Sequence, residues 1–387
     1  MNKKQIIISL VSVLLVVVAL VLYVGKSDDS IINKKTTSIT DNSGTTSSTT
    51  STLVTPDGKE LTQYKTYAWN YFDTVTTIVG YTETGEEFEA ITKEIFAMLE
   101  EYHKLYDIYN SYSGINNIRT INRLYDGEHK VVTVDRKIID MLLYAKDLYN
   151  KTNGNMNIAM GSVLSIWHDY RSDAIDNNYG VGELPPMEDL KEAAKHIDIN
   201  NLIIDEVNST VYLADPQMTL DVGAIAKGYA VEMVAQELEK QGITSFVLNV
   251  GGNIRTIGKR ADGKNWATGV ENPLGGEPAY IAYLGLAGEA IVTSGSYQRY
   301  YIVDGKEYHH IIDSETLMPA TYFVGVSVVC QNSADGDGLS TALFCMPLEE
   351  GMALVESLEG VEVMWTLPDG TRYKSSGFSY YEDQYKK

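Results

Sequence analysis

The chain has 387 residues, 44% of them hydrophobic and 21% charged, an ordinary globular mixture with ample material for a core. Its net charge of −21 argues against a nucleic-acid partner, because phosphate backbones bind basic surfaces. Two cysteines, Cys330 and Cys345, are too few for a disulfide framework, and they read as two buried thiols or one pair in an oxidising compartment.

At the N-terminus, Asn2-Lys3-Lys4 precedes an uncharged run from Ile6 to Val24. The run approaches the ~20 apolar residues that span a bilayer, exceeds a secretory hydrophobic region, and is followed by no small-x-small cleavage site. Residues 1–25 are therefore expected to form a membrane anchor, with the lysines in the cytoplasm and everything after Gly25 outside. A cleaved signal peptide would leave the mature chain in the same compartment. Residues 26–63 are polar around "TTSITDNSGTTSSTTST" and are expected to be a flexible tether. One folded domain is expected over 64–387.

Within that domain, "YFDTVTTIVGY" (Tyr71–Tyr81) is rich in β-branched and aromatic residues and reads as a strand. Phe88, Ile91, Ile95, Met98, Leu99, Tyr102 and Leu105 recur at helical spacing, and Ile138, Met141, Leu142, Ala145 and Leu148 mark a second amphipathic helix. "ADPQMTLDVGAIAKGYAVEMVAQELEKQG" reads as strand, glycine turn and helix. Ala226, Ala230, Met233 or Val234, and Leu238 form its buried face, and Gly242 its stop. "SFVLNVGGNIRTIG" reads as strand, turn, strand. Strand-like pieces follow ("WATGVEN", "YIAYLGL", "AIVTSGSYQRYYIV", "FVGVSVVC") before a helix from about Asp337. Helices and strands are segregated, so the expected class is α+β, with mostly antiparallel sheets packed against helices.

Four patches use residue types that a core does not need. In "DVGAIAKGYAVE", Gly223 and Gly228 allow close backbone approach, the helix start offers free N–H groups, and Lys227 could add a charge for a phosphate. In "NVGGNIRTIG", Gly251-Gly252 is either a ligand-facing turn or a plain hairpin. In "VTSGSYQRYYIVDGKEYHHIID", Thr293, Ser294, Gly295 and Ser296 suit an anion, with Arg299 nearby. His309 and His310 alternate across a strand, so at most one is expected to act as a base. In "DGDGLSTALFCM", Asp337 and Thr341 share a helical face and could hold Mg²⁺ through oxygen atoms; the plain alternative makes Asp337 a helix cap. Asp335 is the less favoured ligand.

In this order "LDVGAIAKGYAVE", "NVGGNIRTIG", "GVENP", "VTSGSYQRY", "HHIID" and "DGLSTALF" resemble the FAD:protein FMN transferases, the ApbE family, over about Tyr71 to Leu367. The resemblance implies a single catalytic domain of ApbE-like, T-fold-like build. It implies an enzyme that splits FAD and attaches FMN through its phosphate to a Thr or Ser hydroxyl of a target protein, releasing AMP. Such enzymes need Mg²⁺ and act outside the bacterial cytoplasmic membrane on flavin-carrying domains of membrane redox complexes. Carried onto this chain, it makes Asp337, Thr341 and the carbonyl of Ala224 the metal ligands. Gly223, Lys227, Gly251, Gly252, Glu271, Ser294, Gly295 and Ile311 surround FAD, and His310 deprotonates the acceptor hydroxyl. A tyrosine among Tyr106–Tyr112 would wall the flavin ring. Three positions depart from the family's usual pattern: Met156-Asn157-Ile158-Ala159 replaces "FDPT", Asn253 replaces an acidic residue, and Asp313-Ser314-Glu315-Thr316-Leu317 replaces "DPxTG". Two other readings remain, a FAD pyrophosphatase releasing FMN and AMP and a surface protein that only binds flavin.

Overall fold

The computed structural model describes residues 51–123 and 131–386, together with the backbone of two short strands, Ser38–Ile39 and Thr46–Ser47. The run Ile6–Val24 lies outside the described residues. Among the described residues, no helix is long and apolar enough to cross a membrane.

One large antiparallel sheet organises the domain. Its main strands lie in the spatial order Glu60–Tyr71, Thr74–Thr82, Phe246–Val250, Asn253–Ile257, Ala290–Gly295, Gly325–Cys330, Glu362–Thr366 and Arg372–Lys374. Thr52–Val54 pairs with Glu60–Tyr71, so the sheet begins ahead of Tyr64 and takes in the end of the stretch expected as tether. The stretch Tyr71–Tyr81 is a hairpin corner followed by a strand, not one strand. Phe72 and Asp73 take φ of 52° and 51°, the left-handed pair that a tight turn between twisted strands requires.

Helices cover one face of this sheet. Gly85–Tyr106 starts with Thr84 accepting from the Glu87 N–H at 3.2 Å while the Glu87 carboxylate accepts from the Glu83 N–H at 3.1 Å. The first bond satisfies a donor that the first turn leaves free, and the second ties the helix to the residue before its cap. Its buried stripe of Phe88, Ile95, Leu99, Tyr102 and Leu105 meets Ile78, Phe246, Leu248 and Val250 of the sheet and Ile138, Leu142 and Ala145 of helix Arg136–Lys151 in one core. Two more helices complete that layer, Ala226–Lys240 and Ser333–Phe344. Val234 is the buried member of the alternative Met233 or Val234, and Gly242 ends the first of these helices at φ 78°.

Other elements depart from the expected layout. The strand Thr210–Leu213 ends upstream of "ADPQMTLDV", within which only Thr219 forms a bridge, to Met160. "AIVTSGSYQRYYIV" divides into Ala290–Gly295 of the large sheet and Tyr300–Val303, which pairs instead with Lys306–His309. That hairpin packs through Tyr301 and Val303 onto Trp167 of helix Gly161–Asn178. This helix escapes periodicity analysis because only Gly161, Val163, Trp167 and Ala174 are buried along it. On the opposite side, the hairpin of Trp266–Glu271 with Tyr280–Leu286 and the C-terminal helix Phe378–Tyr385 bury Leu284, Leu286 and Phe378 against Ile291, Val329 and Met364. The α+β expectation, antiparallel sheets packed with helices, holds.

Candidate active site

Two helices converge at the centre of the site. Asn332 caps Ser333–Phe344, its side chain accepting from the Ala334 N–H at 2.8 Å, so Asp337 is not the cap of its own helix. Asp337 lies one turn inside and is buried, yet it serves the start of the other helix. One carboxylate oxygen accepts from the Gly228 N–H at 2.7 Å and the other from Lys227 Nζ at 2.8 Å. A negative charge is thereby set against the amino-terminal turn of Ala226–Lys240, where free N–H groups and the helix dipole favour it. Gly228 is required for this approach, since a Cβ there would lie 2.4 Å from the Ser333 carbonyl and 2.5 Å from the Asp337 Cβ.

Because Gly228 donates to Asp337, no described hydrogen bond ends on the Ala224 carbonyl four residues earlier. Thr341 follows Asp337 by one turn, its hydroxyl 3.2 Å from the Asp337 carbonyl and 3.5 Å from Ser294 Oγ. Ser294 Oγ also lies 2.8 Å from Ser340 Oγ, which ties the end of strand Ala290–Gly295 to this helix. Among the described residues no three His, Cys, Asp or Glu side chains gather in a cluster. The expected metal set does not need one, because it draws on one carboxylate, one hydroxyl and one backbone carbonyl. Hard oxygen donors of that kind suit Mg²⁺, and a carboxylate oxygen with one hydrogen bond keeps a lone pair for a cation. Asp335 is committed elsewhere, accepting from the Tyr144 hydroxyl at 2.7 Å, and burial raises its pKa.

A buried network braces the two helices from behind. Glu232 Oε2 accepts from Arg255 Nε at 3.0 Å and from the Ser333 N–H at 2.8 Å. The Ser333 hydroxyl donates to Asn253 Oδ1, so this buried amide is tied to the first residue of helix Ser333–Phe344. The turn at Gly251-Gly252 is a tight hairpin, with φ of 56° and 85°. It is also a place of close approach, since a Cβ on Gly251 would sit 2.3 Å from Thr74 Oγ1. Glu271 reaches Tyr297, whose ring occupies the space a Cβ on Gly295 would need.

The two histidines separate cleanly. His309 uses both ring nitrogens: Nε2 faces the Ala320 carbonyl at 2.8 Å, and Nδ1 accepts from the N–H of buried Ile311 at 3.2 Å. His310 uses one. Its Nδ1 faces the Arg299 carbonyl at 3.3 Å, and its backbone N–H donates to the same oxygen at 3.2 Å. A carbonyl only accepts, so Nδ1 carries the proton and Nε2 is left as a base. Burial first, and then the charges of Arg299 and Arg171, push the His310 pKa down to about 3, which keeps the ring neutral at ordinary pH.

Sequence reading missed one further group of residues, centred on His168. His168, on helix Gly161–Asn178, has Nδ1 2.7 Å from the Tyr109 hydroxyl, and its ring stacks on Tyr109 at 5.9 Å. Its Nε2 lies 4.0 Å from Asp221, which also accepts from the Gly223 N–H at 2.9 Å. Asp221 therefore links this group to the turn that carries Ala224. Tyr109 falls within the Tyr106–Tyr112 window and is half exposed, with its ring stacked on His168. His168 and Arg171 carried no usable signal, because their helix was itself unrecognised.

The ApbE family profile matches residues 72–365, and the chain belongs to that family. The FAD:protein FMN transferase of Klebsiella pneumoniae (strain 342) is 29% identical over 278 residues, covering 72% of this chain and 82% of that protein. The FAD:protein FMN transferase of Treponema pallidum (strain Nichols) is 29% identical over 307 residues, covering 75% and 81%. Among solved structures, the ApbE protein of Thermotoga maritima superposes with a TM-score of 0.71 at 27% identity, covering 83% of this chain and 99% of that one. The flavin transferase ApbE of Vibrio cholerae gives a TM-score of 0.68 at 25% identity, covering 83% and 99%.

Proposed function

We propose that this chain is an FAD:protein FMN transferase that moves FMN from FAD to a Thr or Ser hydroxyl of a protein and releases AMP. The observation that carries the reading is His310, a neutral imidazole with one nitrogen fixed on a backbone carbonyl and the other free. The free Nε2 takes the proton of the acceptor hydroxyl. The hydroxyl oxygen bonds to the FMN phosphorus, the bond from that phosphorus to the bridging oxygen breaks, and the oxygen leaves as part of AMP. Asp337, Thr341 and the Ala224 carbonyl would hold Mg²⁺, which would supply neutralisation of the diphosphate charge. Lys227, held at 2.8 Å by Asp337, stands at the same helix start to bind a phosphate oxygen. The turns at Gly223 and Gly251-Gly252, with Ser294, Gly295, Glu271 and Ile311, would bound the FAD cleft. The uncharged run Ile6–Val24 supports a chain anchored in the cytoplasmic membrane that acts on extracytoplasmic acceptor domains of membrane redox complexes.

The test is to incubate the full chain with FAD, Mg²⁺ and an acceptor domain bearing a flavinylation threonine, and to follow covalent flavin fluorescence on the acceptor in a denaturing gel. Release of FMN and AMP without labelling would instead make the chain a pyrophosphatase, and intact bound FAD would make it a binding protein. His310→Ala should cut the labelling rate at least about a hundredfold while FAD still binds. A near-normal rate would remove the histidine from the mechanism.

A further inference from the structure

Tyr109 is half exposed, yet each of its polar groups has a partner. Its backbone N–H donates to Asp107 Oδ1 at 2.6 Å, and its carbonyl accepts from the Arg119 guanidinium. Asp107 also accepts from the Asn110 N–H at 3.0 Å and from the Tyr112 hydroxyl at 2.7 Å, which closes the loop around Tyr109. The Tyr109 hydroxyl lies 2.7 Å from His168 Nδ1, and the two rings stack with 26° between their planes. Stability does not call for such bracing, because water serves an exposed hydroxyl equally well. What the bracing does is order the ring beforehand, so a ligand packing on it is spared that cost. The polarity of the bracket can be assigned. Burial lowers the His168 pKa, so the neutral ring offers one N–H and one lone pair. Nε2 faces Asp221 Oδ2 at 4.0 Å, where a lone pair would be repelled and an N–H attracted. The proton therefore sits on Nε2, and Nδ1 accepts from Tyr109, whose hydroxyl pKa is pushed up to about 12, first by burial. Asp221 is itself fixed, since its other oxygen accepts from the Gly223 N–H at 2.9 Å.

We propose that His168 is a positioning residue, which holds the Tyr109 ring as a rigid wall for the planar ring system of the substrate. The proposal rests on the transferase reading for its ligand, the flavin ring of FAD. His168 acts only through Tyr109, and Asp221 acts only by selecting the His168 tautomer. The bracket therefore serves the flavin half of the substrate and leaves the nucleotide half untouched.

The experiment measures binding to the full chain of FMN, by flavin fluorescence, and of ADP, by calorimetry, with no acceptor present. His168→Phe keeps a flat ring without its nitrogens, and Tyr109→Phe keeps the wall without its hydroxyl. Each should weaken FMN about three- to tenfold, the worth of one neutral hydrogen bond, and leave ADP unchanged. The double variant should bind FMN no worse than the weaker single variant, because both remove the same bond. His168→Asn, whose amide oxygen can accept from Tyr109 in place of Nδ1, should recover part of the loss. A variant that loses ADP and FMN alike, or two losses that simply add, would make the contact a general packing one and overturn the proposal. So would wild-type FMN affinity in His168→Phe, or a wild-type chain that does not bind FMN. If the wild type labels no acceptor but shows this pattern with FMN and ADP, the transferase reading fails and the positioning role stands.

Discussion

Two cation–carboxylate pairs meet the helices Ala226–Lys240 and Ser333–Phe344, and they differ in what surrounds them. Arg255 and Glu232 are almost wholly enclosed, with side-chain exposures of 5% and 3%. Glu232 also accepts from the Ser333 N–H and from Gln236, and Arg255 reaches Glu239 and two backbone carbonyls. Lys227 and Asp337 are less enclosed, with exposures of 23% and 8%, and Lys227 makes no other described hydrogen bond. The enclosed pair is saturated and can only hold the helices in place. The less enclosed pair has spare lone pairs and a cation that can turn to another anion. The same chemical couple is thus closed off or left with spare bonding capacity according to how many partners enclose it.

Substitutions should separate the two. The largest effect on activity is expected from Asp337→Ala, which should abolish labelling of the acceptor while the domain still melts cooperatively. The loss to the helix start is about 1 kcal/mol, and Lys227 can swing to water. An Asp337→Ala chain that labels at the wild-type rate would end the assignment of this residue to the metal set. Glu232→Ala should do the reverse. It removes the buried acceptor shared by Arg255 Nε and the Ser333 N–H, leaving Arg255 with Glu239 and two carbonyls, and should cost about 3 kcal/mol in chemical denaturation. If stability is unchanged, the enclosed pair is not scaffold and the contrast collapses.

A smaller effect is expected from pH. The His310 pKa is pushed below its usual 6.5, to about 3, by burial and the two arginines. The unfolded chain therefore binds a proton at this ring before the folded one does, and its contribution to stability is present above pH 6.5 and lost progressively as pH falls toward 3. In the transfer assay the base stays deprotonated through mild acid, so the rate should not fall with an ordinary histidine midpoint between pH 7.5 and 5.5. Removing the charge of Arg171 should move the acid limb upward. A wild-type midpoint near 6.5 that vanishes in His310→Ala would contradict the depressed value.

Much of this was legible in the chain because it depends on neighbours in sequence. The three-and-four spacing from Phe88 to Leu105 marked a helix, and the four-residue step from Asp337 to Thr341 put both on one helical face. The strand expected to carry both histidines ends at His309, so alternation is not what sets His310 apart, whereas motif order pointed to the family that the profile match confirms. Other features were hidden for equally local reasons. Helix Gly161–Asn178 buries too few residues to show a period, so His168 and Arg171 went unnoticed. The corner at Phe72-Asp73 was read through because neither residue is glycine.

By itself the sequence determined the α+β class, the principal helices, the family and the residue types of the site, since these follow from periodicity, turn chemistry and short motifs. Tertiary structure decided what those residues touch. Lys227 and Asp337 are 110 positions apart, and nothing local to either says that the lysine reaches the carboxylate or that Asp337 caps a helix other than its own. Glu232 and Ser333 are 101 apart, and Tyr109 and His168 are 59 apart. Such pairings arise when the sheet closes and Gly228 lets two helices meet without a side chain between them. Partners brought together by packing are set by the fold's volume and register, and no window along the chain contains that information.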